Sequence, residues 1–463
     1  MTKFTTGLLT AAAIMVSAAC APNVAANDLS ASVAEDYGYV FDLYKHFHEN
    51  PELSFKEKET AARLAKELKE LGFEVTERFG DDWVKEKVME DVGEIREDVG
   101  GYGVVAVMKN GVGPTVMLRA DMDALPLEEK TGLPYESQVI GQTHTGKDAP
   151  VMHACAHDSH VAILIGTARQ LVERKDEWSG TLVLIGQPAE EIGLGAKAML
   201  EDGLFSKFPR PEYVLATHTS GWAPAGKISY TSGFALANVD SVDITIKGIG
   251  AHGSAPHMGK DPIVIGAQIV NALQTLVSRE VNPLQAGVVT VGSFRAGFKH
   301  NIIPDEAKLQ LTVRSYDDDV RKTLLDGIER IAISQALSAG LPEDLMPVIT
   351  MESDYTPSTY NDPEMTDRVM AAVGASIGED KVVTQPPSMG GEDFSLFHRY
   401  DEDIKTFIFW TGGAEPTAFA DAIENKTALP PANHSPFFAP QPEPALKLGV
   451  QAMTAGTLEL FNE

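Results

Sequence analysis

Cysteine is nearly absent from this chain: among 463 residues only Cys20 and Cys155 carry a thiol. Because Cys20 lies in the N-terminal segment, the folded part has no pair to oxidise, which excludes a disulfide-stapled scaffold. Positive charge is scarce as well. Against 66 acidic residues stand 38 basic ones, a formal net charge of -28, and such a surface repels phosphate backbones and anionic headgroups. Nucleic acid is therefore not an expected partner, and a small ligand with one carboxylate suits this field better than a polyanion. Long apolar runs are missing too. Beyond the N-terminal segment no stretch reaches the ~18 residues of a membrane-spanning helix, so no span is expected.

The N-terminus reads Met1-Thr2-Lys3, then a mostly apolar stretch from Gly7 to Ala19, then small residues up to Val24-Ala25-Ala26-Asn27. That order of charge, apolar run and small residues predicts a secretory signal over 1–26 and export to the periplasm or the medium. A retained anchor helix is one alternative, although the stretch is short for a span. Lipidation of Cys20 is another, because Ser17-Ala18-Ala19-Cys20 sits where a lipoprotein signal would end. Ser17 there replaces the usual aliphatic residue. Export would leave Cys155 as a lone thiol in an oxidising compartment, either buried and inert or bound to something.

With 43% hydrophobic residues, a chain of this length can bury a sizeable core and should divide into two or more domains. Helical spacing over 56–71, strand candidates at 103–108 and 115–119, a helix over 161–172 and strands at 181–186 and 213–217 alternate like a doubly wound α/β sheet. Ligands in such sheets collect at the C-terminal strand ends, where Asp121, Glu190 and His218 fall. From about Val239 the pattern becomes two strand-helix-strand units, an α+β insert of ferredoxin-like size. The expected organisation is a catalytic domain in two parts, 28–238 and 352–463, interrupted by a lid and dimerisation domain over 239–351. Asp81 to Asp98, with apolar Val84, Val88, Met89, Val92 and Ile95 at loosely helical spacing, reads as a solvated surface helix, or alternatively as a rim to the site.

Chemistry concentrates in His153-Ala154-Cys155-Ala156-His157-Asp158-Ser159-His160. Alternation along an extended or loop segment places Cys155 and His157 on one side, and a thiolate with an imidazole suits a borderline-soft ion such as zinc. A structural metal clip or a chance grouping is equally compatible with the cluster alone. Asp158 is an expected acceptor fixing a histidine tautomer. Glu190 and Glu191 follow an apolar strand; where successive side chains diverge, Glu191 can bind metal while Glu190 acts as a base on water acidified by the metal. His218 closes a strand and His434 sits near the C-terminus. Taken singly, each is more often a satisfied polar residue than a ligand; together with Cys155, His157 and Glu191 they would make five protein ligands, enough for two ions.

These stretches, with Arg119-Ala120-Asp121-Met122-Asp123-Ala124-Leu125-Pro126, Gly250-Ala251-His252, Asn301-Ile302-Ile303-Pro304-Asp305, Gly390-Gly391-Glu392-Asp393-Phe394 and His434-Ser435-Pro436, resemble the M20 metallopeptidase family in motif order. The likeness is to the amidohydrolase branch, with its hippurate, N-acyl amino acid and auxin-conjugate hydrolases. It implies two divalent ions, zinc or manganese, on Cys155, His157, Glu191, His218 and His434, with Glu190 as general acid/base. It further implies that His252 on the lid polarises the scissile carbonyl, from the neighbouring subunit in dimeric members, and that Asn301 contacts substrate. Arg314 becomes a candidate bidentate clamp for a substrate carboxylate, the alternative being a structural ion pair. The implied reaction is hydrolysis of an N-acyl amino acid or similar small amide. A dipeptidase or carboxypeptidase with the same two-ion site is the runner-up, and retention of Cys155 favours the amidohydrolase. Two departures stand out: Ala156 replaces the usual glycine, and the lid reads Gly-Ala-His-Gly-Ser-Ala-Pro-His instead of Gly-Gly-His-Ala-Ala.

Overall fold

The computed structural model describes residues 24–94, 96–351 and 354–462. The expected signal, Cys20 included, lies outside the described residues apart from its last three positions, with which the first helix, Val24–Glu49, begins. Among the described residues no helix is long and apolar enough to cross a membrane.

Eight strands form the main sheet, and its centre is parallel: Gly180–Gln187, Thr115–Asp121, Tyr213–Pro224 and Lys405–Ala414 lie side by side in that order. Their sequences are apolar on both faces, as a doubly covered parallel sheet requires. Val116, Leu118, Leu184 and Phe407 point into one core, together with the helices His157–Glu173, Pro363–Ile377 and Pro442–Phe461. Their neighbours Met117, Ile185 and Ile408 point into the other. Truncating one of these fully buried side chains, Leu118→Ala for instance, costs about 2–5 kcal/mol. Antiparallel strands flank the sheet at Gly103–Asn110 and Ile228–Tyr230.

The second unit has its own core. Strands Gly287–Ala296, Glu306–Ser315, Asn238–Lys247 and Val348–Met351 form an antiparallel sheet in that order. Val242, Ile244 and Ile246 alternate inward against the helices Pro262–Thr275 and Asp318–Ser338. Asp261 and Asp317 cap those helices, Asp261 accepting the Ile263 N–H and Asp317 those of Asp319 and Val320, a contact worth about 1 kcal/mol. The result is the expected two-domain α/β architecture with a smaller α+β lid.

One expectation is corrected. Asp81–Val92 is a helix that is solvated on one side only: Asp82, Glu86, Met89 and Glu90 are exposed, but Val84 and Val88 are buried in one apolar cluster with Phe55, Val99, Ala189 and Ala198. Ala189 immediately precedes Glu190, so this helix packs beneath the loop that carries the glutamate pair.

Candidate metal centre

Cys155 and His157 do converge, for a reason other than strand alternation. His157 opens the helix His157–Glu173, and Ala156 before it adopts a left-handed backbone (φ 69°). A residue with a Cβ pays about 1–2 kcal/mol for that conformation, which is why glycine is the natural occupant and why alanine is tolerated without being ideal. The kink turns the Cys155 sulfur and the His157 ring toward a common point.

Around that point lie ligand atoms from four segments. Sγ of Cys155 is 3.4 Å from Nε2 of His218 and 3.3 Å from Nε2 of His434. Cys155, His157 and His218 form one group with mutually close ligand atoms; Cys155, Glu191 and His434 form a second; His157, Glu190 and Glu191 a third. Cys155 belongs to the first two, as a residue lying between two ions would. Glu191 Oε2 is 3.6 Å from His434 Nε2, and Glu190 Oε2 is 3.9 Å from His157 Nε2.

The site fits a pair of cations. Both ring nitrogens of His157 and Oε1 of Glu191 are buried without a hydrogen-bond partner, and orphaned buried polar atoms are costly unless something satisfies them. Burial and the neighbouring Glu191 raise the Cys155 thiol; burial lifts Glu191 to about 8. Burial, then Glu392 and Glu191, push Glu190 well above the carboxylate range. Packing thiol and carboxylates so closely is a geometry that bound positive charge relieves.

Residues outside the expected ligand set stand behind this group. Asp123 lies 3.3 Å from His157 Nδ1 through Oδ1, and it accepts the backbone N–H groups of Glu190 (3.0 Å) and Glu191 (3.1 Å). His218 Nδ1 faces the carbonyl oxygen of Thr219 at 3.0 Å, which leaves Nε2 free to bind. His160 accepts the Thr219 N–H at Nε2 (2.7 Å), so its Nδ1–H donates to Asp121 (2.5 Å). Buried Arg119 then ties Asp121, Glu392 and Asp393 together. Asp158, the expected tautomer-fixing acceptor, serves a different ring: its Oδ2 pairs with Nδ1 of His48 at 2.6 Å, and His48 Nε2 pairs with Glu129 at 2.9 Å.

A cavity of about 440 Å³ opens beside these groups, lined by Cys155, Glu190, Glu191, His218, His434 and Arg314. Arg314 donates to Met389 O and Thr312 Oγ1, and it has no ion pair among the described residues. Ile192, Val239 and Trp410 supply an apolar wall. His252 and Asn301 are not brought there. Both are exposed on the lid, His252 in a two-residue strand paired with Ile302–Ile303 and Asn301 beside it. The Ser254 N–H and hydroxyl both bond Nδ1 of His252 (3.1 and 2.7 Å). That leaves the proton on Nε2, facing outward as a donor, so the departure at Ser254 fixes the ring in a useful tautomer.

Fold and site together define a two-domain metal-dependent hydrolase. The chain belongs to peptidase family M20/M25/M40, whose family model matches residues 117–428. It is 38% identical over 437 residues to "Thermostable carboxypeptidase 2" of Saccharolobus solfataricus, covering 94% of this chain and 98% of that protein. It is 39% identical over 362 residues to the hippurate hydrolase of Campylobacter jejuni, covering 77% of this chain and 84% of the other. A crystal structure described as a dinuclear metal binding peptidase from the M20 family, from Bacillus subtilis, superposes with a TM-score of 0.70 at 29% identity. The match covers 92% of this chain and 99% of that one.

Proposed function

We propose that this protein hydrolyses the amide bond of N-acyl amino acids or similar small amides. The observation that carries the reading is one cavity lined by Glu190, Arg314 and the candidate ligands Cys155, Glu191, His218 and His434, the fifth ligand, His157, being grouped with them. Those five residues would hold two divalent ions, zinc or manganese given the mixed sulfur, nitrogen and oxygen donors. When bound, the ions polarise the scissile carbonyl and acidify water. Glu190 takes a proton from the attacking water and returns it to the leaving nitrogen. Arg314 receives the substrate carboxylate with its planar fork, and Asn301 contacts the bound substrate from the lid. His252 donates its Nε2 proton to the developing oxyanion.

Because His252 and Asn301 sit outside the cavity on the exposed lid, we place them in the site of a second copy of this chain. The lid's edge strand Gly287–Ala296 and the fully exposed Phe298 offer a surface for that pairing. Export by the N-terminal segment completes the reading, with lipidation at Cys20 as its variant.

The test is turnover of a panel of N-acyl amino acids by wild type and Glu190→Gln, each with its metal content measured. Loss of the base should lower kcat about 10²–10⁴-fold with the ions retained; wild-type turnover by the variant would end the mechanism. The carboxypeptidase similarity over 94% of the chain supports a second reading, cleavage of C-terminal peptide bonds at the same site. Blocked dipeptides in the same panel separate the two.

A further inference from the structure

Glu57 is a buried carboxyl that the mechanism does not use. It precedes the helix Lys58–Glu70, and its carbonyl oxygen accepts the first helical N–H from Ala61, but its side chain does not cap that helix. Instead it reaches the loop that carries the glutamate pair. Oε1 accepts the backbone N–H of Ala189 at 2.7 Å, while Oε2 is buried with no partner. Ala189 is held in a left-handed conformation (φ 52°), and it is buried in one apolar cluster with Val84 and Val88 of the helix Asp81–Val92.

Asp123 takes the next two N–H groups, those of Glu190 and Glu191. Three successive amides thus converge on two buried carboxyls supplied by distant segments, the geometry of a backbone anion nest. The direction in which Glu190 and Glu191 leave the chain follows from it. We infer that Glu57 is a positioning residue for the glutamate pair: by holding Ala189 in its unusual conformation it aims Glu190 at the cavity. Releasing the Ala189 N–H lets φ return to its ordinary range and swings Glu190 away from the reacting atoms. Burial and the Asp123 carboxylate push the Glu57 carboxyl well above the usual range, so an uncharged side chain with one acceptor oxygen can replace it.

The inference rests on Glu190 being the general base, and the experiment separates the two claims. Full-length Glu57→Gln, Glu57→Met and Glu190→Gln are loaded with the same metal, and kcat, KM and ion content are measured on one N-acyl amino acid that the wild type hydrolyses. Glutamine keeps the acceptor; methionine keeps the volume and loses it. Expected are a Glu57→Gln kcat within about threefold of wild type and a Glu57→Met kcat lower by about tenfold to a hundredfold, the loss that a misplacement near 1 Å produces. KM and ion content stay unchanged in both. Wild-type kcat in Glu57→Met, or losses shared equally by the two substitutions, would overturn the inference, as would a loss that tracks missing ions or a raised KM. If Glu57→Met does not fold, Glu57→Gln carries the test, and a drop beyond tenfold overturns it. An active Glu190→Gln removes the general-base reading itself, whereas an inactive one beside an unaffected Glu57→Met removes only the role of Glu57.

Discussion

The catalytic domain and the lid treat their functional residues in opposite ways. In the catalytic domain the candidate ligands stand on segments as far apart as residues 155 and 434, and buried groups of the same domain stand behind several of them. Asp123 faces His157 and holds the Glu190–Glu191 amides, the Thr219 carbonyl sets His218, and Arg119 neutralises the acids behind them. On the lid, His252 has its tautomer set locally by Ser254 but faces solvent, far from buried partners. The candidate ligands and base are held within one chain together with Arg314 at the cavity wall, whereas His252 and Asn301 lie exposed on the lid outside that cavity. Preorganised donors need no rearrangement when the reaction occurs, whereas mobile ones can exclude water on closing.

The largest test of this contrast is removal of the ions. Chelation should abolish activity entirely and lower Tm, both restored by adding divalent metal, because ions bound to the native state stabilise it; a Tm unmoved by chelator would mean the catalytic domain does not need them for its order. Next comes His252→Ala. It should lower kcat about 10²–10³-fold while Tm and ion content stay at wild-type values, and a loss of ions would erase the distinction between the two regions. Arg314→Met should act mainly on KM, raising it about tenfold or more for substrates with a free carboxylate and leaving carboxamide analogues unaffected. An equal effect on both would return Arg314 to a purely structural role.

The smallest effect concerns stability alone. Burial opposes the His48 imidazolium, but hydrogen bonds to Asp158 and Glu129 overcome it and raise the ring to about 10. Because the folded value lies above the unfolded one, the stabilisation is complete below about pH 6.5 and fades as pH rises through about 10. Glu and Asp partners left unpaired make His48→Gln costly, about 3 kcal/mol near pH 6. The difference in Tm from wild type should therefore shrink steadily between pH 6.5 and 10. A constant difference would show that the ring is not charged in the fold.

Much of this was legible without coordinates. Alternating apolar strands and periodic helices announce an α/β chain with an α+β insert, because burial patterns are local and repeat every two or 3.6 residues. The His153–His160 cluster and the Glu190–Glu191 pair stood out because metal ligands and bases are few in kind. The same local view misjudged what depends on distant partners. It reads Asp81 to Asp98 as a solvated surface because the stretch is rich in charge, although Val84 and Val88 are buried in one cluster with Ala189, about a hundred residues away. It assigned Asp158 to the metal side because it adjoins His157, although helix geometry turns it to His48. It left Asp121, Asp123 and His160 without roles, and Glu57 unnoticed altogether.

The amino-acid sequence by itself determined the elements, through short-range periodicity, and the class of chemistry, through motifs whose order resembles the M20 family; His218 and His434 enter the candidate ligand set on that resemblance more than on spacing. Only the tertiary structure decided that Cys155 belongs to two ligand groups, that two buried carboxyls grip three consecutive amides, and that His252 lies exposed outside the cavity. Those are distances between segments tens to hundreds of residues apart, and they exist only once the sheet and its two cores have closed.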